Sequence, residues 1–314
     1  MKYIEYVNQV IRHKLLAIDD VVCFGQNVSA GSCLSGLTKG LKVTGNGLVI
    51  NTPNSENALV GIGFGMMLNE VNSIFFMKQQ DFLLLGVEHL VNTYNILRGG
   101  KPRASFTIMC IIVDSGYEGP QSALNNFVDF CSIARIPGYA VTSMDDADGI
   151  LSRHLIEAGF RIIGVSQRMF RQEMIAIPSI HSNNDKSLFQ YSKGDDVTIT
   201  CFNFSLPYGM ELQRRLEGEK VGVSLYNVNA MMPIDWGQIV DDLRRTGRLV
   251  VFDDSKSVSP LWEKLLLSLG EIGWDMRRSI VIKRKYSESW FGVDSDAMEI
   301  DYDRIVGVIR RGEA

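Results

Sequence analysis

Leu48-Val49-Ile50-Asn51-Thr52-Pro53-Asn54-Ser55-Glu56-Asn57-Ala58-Leu59-Val60-Gly61 reads as one strand–turn–helix unit. The apolar run 48–50 predicts a short strand. A Thr-Pro-Asn-Ser-Glu turn follows. From Ala58 to Leu68 the chain is apolar almost throughout, with Gly61, Gly63 and Gly65 interleaved. That composition predicts a buried helix that its neighbours approach closely. The glycines lack G-x-G-x-x-G spacing and fall inside the helix, so they are read as packing sites and not as a dinucleotide loop. One acidic side chain, Glu56, stands between the strand and the helix. Its plain reading is a first-turn acid complementing the macrodipole, with Asn54 or Ser55 as N-cap.

The same alternation extends in both directions. Helical spacing over 3–17 precedes a short strand at 21–25, and a further short helix is expected over 35–41. Beyond the quoted unit, strands are expected at 73–77, 105–113, 139–142 and 161–165. Helices are expected at 82–97, 125–136 and 145–158. A polar stretch over 181–196 reads as a linker. After it, strands at 197–202, 221–226, 248–252 and 279–283 alternate with helices at 209–216, 235–246, 260–270 and 301–311. The pattern predicts two consecutive three-layer α/β domains with mostly parallel sheets, over 1–180 and 197–314.

Composition narrows the function classes. The chain has 314 residues, 46% hydrophobic and 22% charged, with a net charge of −4. These values are ordinary for a soluble globular protein and give no electrostatic case for nucleic acid. No apolar run has the length of a membrane span, and Met1 to Tyr6 lacks the layout of a signal peptide. Five cysteines without C-x-x-C spacing imply reduced thiols and a cytoplasmic location. The four histidines show no metal-ligand spacing. Lys193-Gly194-Asp195-Asp196 has one glycine and two carboxylates, a poor phosphate cradle. His181 reads as a solvated linker residue, and the acidic run Asp294, Asp296, Glu299, Asp301, Asp303 as a solvated face.

Thr52-Pro53-Asn54-Ser55-Glu56 and, twenty-six residues beyond Glu56, Phe82 in Lys78-Gln79-Gln80-Asp81-Phe82-Leu83 form a further pattern. It resembles the thiamin-diphosphate signature of the beta subunits of 2-oxo acid dehydrogenases, in the transketolase-like superfamily. Further anchors occur in the same order: 35–41 (S-G-L-T-K-G-L), 87–92 (V-E-H-L-V-N), Ile136-Pro137-Gly138, Met232-Pro233-Ile234-Asp235 and Thr246-Gly247-Arg248-Leu249-Val250-Val251. The resemblance implies a pyrimidine-binding domain of the thiamin-diphosphate fold followed by a transketolase C-terminal-like domain. It implies that Glu56 hydrogen-bonds the aminopyrimidine and helps the coenzyme's own amino group act as a base. It also implies that Phe82 packs on that ring and that Gln26 belongs to the coenzyme environment. The coenzyme is the electron sink, and the protein supplies positioning and electrostatics.

The family binds the diphosphate through Mg²⁺ with a G-D-G motif, and no Gly-Asp-Gly occurs in this chain. The resemblance therefore implies an alpha-like partner subunit that holds the diphosphate and Mg²⁺, in an α2β2 assembly, with an acyltransferase or carrier as a possible further partner. Two departures stand out. The loop Gly116-Tyr117-Glu118-Gly119-Pro120-Gln121-Ser122-Ala123 has Gln121 and Ser122 where the family has a histidine-bearing active-site loop. Ser122 cannot titrate near neutral pH as a histidine can. Gly25-Gln26-Asn27-Val28 has Gln26 where an acid is common. The expected reaction is cleavage or formation of a carbon–carbon bond beside a carbonyl, by 2-oxo acid decarboxylation with acyl transfer or by ketol transfer. Alternatives are half of a split transketolase, a specialised biosynthetic ligase, or a noncatalytic subunit that stabilises an alpha-like partner.

Overall fold

The computed structural model describes residues 1–116, 119, 124–284 and 298–313. Its strands in the first half are β1 (Val22–Gly25), β2 (Leu48–Asn51), β3 (Ser73–Met77), β4 (Ser105–Ile112), β5 (Gly138–Val141) and β6 (Gly159–Ser166). They are followed by β7 (His181–Ser182), β8 (Leu188–Ser192), β9 (Val197–Phe202), β10 (Val223–Val228), β11 (Ala230–Met232), β12 (Leu249–Asp253) and β13 (Ser279–Lys283). The α-helices are α1 (Tyr3–Leu16), α2 (Glu56–Leu68), α3 (Tyr94–Leu97), α4 (Phe127–Ser132) and α5 (Met144–His154). The later ones are α6 (Leu206–Gly218), α7 (Gly237–Thr246), α8 (Leu261–Glu271) and α9 (Tyr302–Arg311). None is long and apolar enough to cross a membrane.

Among the described residues two sheets form, ordered β11-β5-β6-β4-β3-β1-β2 and β13-β12-β9-β10-β8-β7. Pairing is parallel except for β11 on β5, β8 on β10 and β7 on β8. β3 and β4 are buried along their whole length, as parallel strands covered on both faces are. The α/β class with mostly parallel sheets is thus the observed one. Capping agrees with the element order: Ser143 and Asp146 form a capping box on α5, and α7 ends at Gly247 in the left-handed region.

Several elements differ from the sequence expectation. The helix expected over 35–41 is a single 3-10 turn, Leu34–Gly36. Leu34, Ser35 and Gly36 take φ of 52°, 57° and 103°, which an α-helix cannot continue. The helix expected over 82–97 is a 3-10 stretch (Gln80–Gly86), a π-turn (His89–Thr93) and α3. Packing on α2 sets that break. A Cβ on Gly86 would stand 2.9 Å from Val60, and the His89 ring lies against Gly61. The helix expected over 125–136 shortens to α4, between Asn125 at φ 42° and Arg135 at φ 52°. Residues 181–196, expected as linker, contain β7 and β8 of the second sheet. The later strand β11 crosses back to complete the first sheet, and Asn229 exchanges two 2.8 Å bonds with Ala140 beside it.

The glycines of α2 make the packing reading testable. A Cβ on Gly63 would lie 2.2 Å from the buried Phe106 ring, which is wedged against Phe24, Phe64 and Phe160. Nothing lies within 4 Å of a Cβ on Gly65. Gly63→Ala is expected to destabilise the chain by about 1–3 kcal/mol through overpacking. Gly65→Ala is expected to stabilise the isolated chain by about 0.5–1 kcal/mol through helix propensity. Urea denaturation of the two variants should move the midpoint in opposite directions.

Candidate functional site

β2, β1, β3 and β4 are parallel neighbours, so the loops that follow them leave from one edge of the sheet. Carboxyl edges of this kind are where open α/β sheets place ligands. Gln26 follows β1, Glu56 opens the helix after β2, and Phe82 lies in the turn after β3. Three backbone and side-chain contacts draw these loops together. Thr52 donates its N–H to the Gly25 carbonyl at 3.0 Å. Ser29 and Asn51 exchange bonds at 2.9 and 2.7 Å. Asn57, next to Glu56, donates to the Leu85 carbonyl at 3.2 Å. Gly25 permits the approach: it holds φ 144°, and a Cβ there would meet the Phe76 carbonyl oxygen at 2.2 Å.

Glu56 is the first residue of α2, and Ser55 occupies the N-cap position without making a side-chain cap. Glu56 is partly buried and has no hydrogen bond or ion pair among the described residues. Gln26 and Phe82 are likewise partly buried at this edge. Gln121 and Ser122 lie outside the described residues. In sequence they lie between Asp114 and Ser115, which follow β4, and Leu124 and Asn125, which precede α4.

Two residues that sequence reasoning passed over belong to the same edge. The Thr52 hydroxyl is buried without a partner inside the Thr-Pro-Asn-Ser-Glu turn. Gln80 is 1% exposed, donates weakly to Asn126 at 3.4 Å, and its Oε1 has no partner. A buried polar group normally finds a partner, so these oxygens mark a place built to receive one. The sequence signal was the polar Lys78-Gln79-Gln80-Asp81 run directly after the fully buried β3. Exposed apolar side chains flank the edge: Ile62 on α2, and Leu84 and Leu85 beside Phe82.

A second polar cluster ties this edge to the other sheet. Arg168 forms an ion pair with Asp254 and lies 3.7 Å from Asp114. Asp114 also accepts from the Ser166 hydroxyl at 2.5 Å and the Arg168 N–H at 2.8 Å. Burial pushes the Asp114 carboxyl up to about 6, with Arg168 and Ser166 acting against it. Burial works against the Arg168 charge, but Asp254 and Asp114 more than offset it and hold its pKa above the ordinary range. Asp254 accepts from Asn203 at 2.9 Å and from the Phe204 N–H at 3.0 Å. Asn125 donates to the Asp254 carbonyl at 2.8 Å. Asn125, which precedes α4, is therefore fixed to the second sheet.

The other motifs resolve into structure. A Cβ on Gly61 would meet His89 at 2.8 Å, so Gly61 and Gly63 are packing glycines. Gly194 lies against the backbone of Gly222 and Val223, while Asp195 pairs with Arg245 and Asp196 caps the Gly222 N–H at 2.6 Å. His181 is an exposed residue of β7. Asp301 caps α9, Asp303 pairs with Arg215 at 2.8 Å, and Asp294 and Asp296 lie outside the described residues.

No family model matches the chain. It is 24% identical over 275 residues to the pyruvate dehydrogenase E1 component subunit beta of Acholeplasma laidlawii, covering 84% of this chain and 83% of that protein. It is 23% identical over 277 residues to the 2-oxoisovalerate dehydrogenase subunit beta of Bacillus subtilis, covering 84% and 82%. A solved structure described as a split gene transketolase, inactive beta4 tetramer, superposes with a TM-score of 0.67. It shares 13% identity and covers 98% of this chain and 96% of that one. The fold is therefore that of a transketolase-like chain. Within that class its relatives are the beta subunits of 2-oxo acid dehydrogenase E1 components.

Proposed function

We propose that this chain is the beta-like subunit of a heteromeric thiamin-diphosphate-dependent enzyme that breaks or makes a carbon–carbon bond beside a carbonyl. The observation that carries the reading is Glu56, a carboxylate with no partner among the described residues, at an edge that also holds the orphaned Thr52 and Gln80 oxygens. Such an acceptor set fits an aminopyrimidine, which offers both donors and acceptors. When bound, the coenzyme supplies the electron sink for the cleaved bond. Glu56 would accept a hydrogen bond from the ring and hold a proton there, Phe82 would pack on the ring face, and Gln26 would contribute a hydrogen bond. Gln121 and Ser122 remain the candidates on the substrate side. Ser122 can donate a hydrogen bond but cannot exchange a proton near neutral pH.

The chain contains no Gly-Asp-Gly. The diphosphate and its Mg²⁺ are accordingly assigned to an alpha-like partner, in an α2β2 arrangement. The exposed Ile62, Leu84 and Leu85 beside the edge support a partner that covers it. Reconstitution tests the reading. This chain mixed with a Gly-Asp-Gly-bearing alpha-like chain should turn over 2-oxo acids or ketoses with thiamin diphosphate and Mg²⁺, and neither chain alone should do so. Tight coenzyme binding by this chain alone would refute the shared site.

Phe82 gives a graded check. Phe82→Ala should raise the coenzyme concentration for half-maximal activity about 5–10-fold, the loss of roughly 1 kcal/mol of ring packing. An unchanged coenzyme requirement would place Phe82 outside the site.

A further inference from the structure

β12 ends in Asp253-Asp254-Ser255-Lys256-Ser257, and two of these acids part company. Asp254 belongs to the Arg168 cluster between the sheets. Side chains alternate along a strand, so Asp253 is sent to the opposite face. Asp253 is 2% exposed. Its Oδ1 accepts the Ser255 N–H at 2.9 Å, and its Oδ2 has no partner. The hydroxyl oxygens of Ser255 and Ser257 are also buried without a hydrogen-bond partner. Three buried oxygens without a hydrogen-bond partner thus belong to alternate residues, 253, 255 and 257, of one short segment.

The surroundings are negative. Burial pushes the Asp253 carboxyl up to about 7, with the Ser255 N–H acting against this and the Asp254 and Glu263 carboxylates adding to it. Lys283 pairs with Asp253 in the β12–β13 register, yet its ammonium lies over the Trp262 ring, 5.0 Å from the centroid. A buried carboxylate without a counter-charge is costly. Hydroxyl and carboxylate oxygens are the ligands that hard cations take, and a single carboxylate matches a single positive charge.

We propose that the 253–257 turn is a binding site for a monovalent alkali cation, held by the Asp253 carboxylate and the Ser255 and Ser257 hydroxyls. The site bears on how the two halves of the chain meet. Within the same turn, Lys256 donates its N–H to the Asn125 carbonyl at 2.8 Å. Just beyond it, Val258 and Ser259 donate to the Asp129 carboxylate at 2.9 and 3.3 Å. A cation in the turn would stiffen the segment that grips α4 and Asn125.

The test is melting of the full chain in KCl, NaCl and choline chloride at equal ionic strength. Wild type should melt about 2–4 °C higher in at least one alkali chloride than in choline chloride. Asp253→Asn, which keeps the shape and removes the charge, should melt alike in all three salts. Identical wild-type melting in the three salts would overturn the site and leave a turn filled by water or by a neutral acid. An alkali preference that survives Asp253→Asn would overturn it as well. Should Asp253→Asn fail to fold, Ser257→Ala decides: a reduced preference supports the site, and a full preference refutes it.

Discussion

Glu56→Gln is expected to lower the coenzyme-dependent turnover of the reconstituted enzyme by about 10²–10⁴-fold, the range typical of losing a positioned proton carrier. The same variant should barely alter the fold. Glu56 makes no hydrogen bond or ion pair among the described residues, and Ser55 beside it makes no side-chain cap. What the folded chain loses is one negative charge at a helix N-terminus, about 0.3–1 kcal/mol. That separation gives the experiment its force. A residue serving only as a helix-end acid would show a small stability change and full turnover. A residue working on the coenzyme would show the reverse, near-native melting with turnover almost gone. Turnover unaffected by Glu56→Gln would remove Glu56 from the reaction. It would also favour a noncatalytic pairing subunit, the alternative that Gln26 and Ser122 raise on sequence grounds.

The alternation of strands and helices was legible because parallel strands buried on both faces are continuous apolar runs. The run at 105–113 and the all-buried β4 are the clearest case. Helices with simple amphipathic faces, such as α1 and α6, were legible for the same reason. What escaped was set by contacts distant in sequence. The break at Gly86 and His89 depends on the close approach of α2, which no local pattern announces. The 181–196 segment is polar because β7 is a short edge strand and its turns face solvent, so pairing with β8 was invisible. Of the site, Glu56 and Phe82 stood out through spacing that resembles a family signature. Thr52 and Gln80 did not, because an unpartnered buried oxygen is a property of packing and not of residue type.

The other large expected effect is at Arg168. Arg168→Met should destabilise the chain by about 3–5 kcal/mol, the usual consequence of removing one partner from a buried ion pair. The reason is what it leaves behind. Asp114 and Asp254 are both fully buried, and Arg168 is the cation between them. Hydrogen bonds from Ser166, Asn203 and the Phe204 N–H remain, but they carry no countercharge. Arg168→Lys keeps a charge but loses the planar fork, so an intermediate loss is expected. Asp254→Asn added to Arg168→Met should recover part of the stability, because one stranded charge is then neutral. Urea denaturation of these variants and of Asp254→Asn alone measures this, and additive losses in the double variant would refute the coupling. The damage should extend beyond stability. In sequence, Asp114 precedes residues 117–123 and Asn125, bonded to the Asp254 carbonyl, follows them. Loosening both ends at once should depress turnover in the reconstituted enzyme more than it weakens coenzyme binding. Glu56 and Phe82 follow β2 and β3, whereas Gln121 and Ser122 lie in sequence between Asp114 and Asn125, the two residues tied to the Arg168–Asp254 cluster.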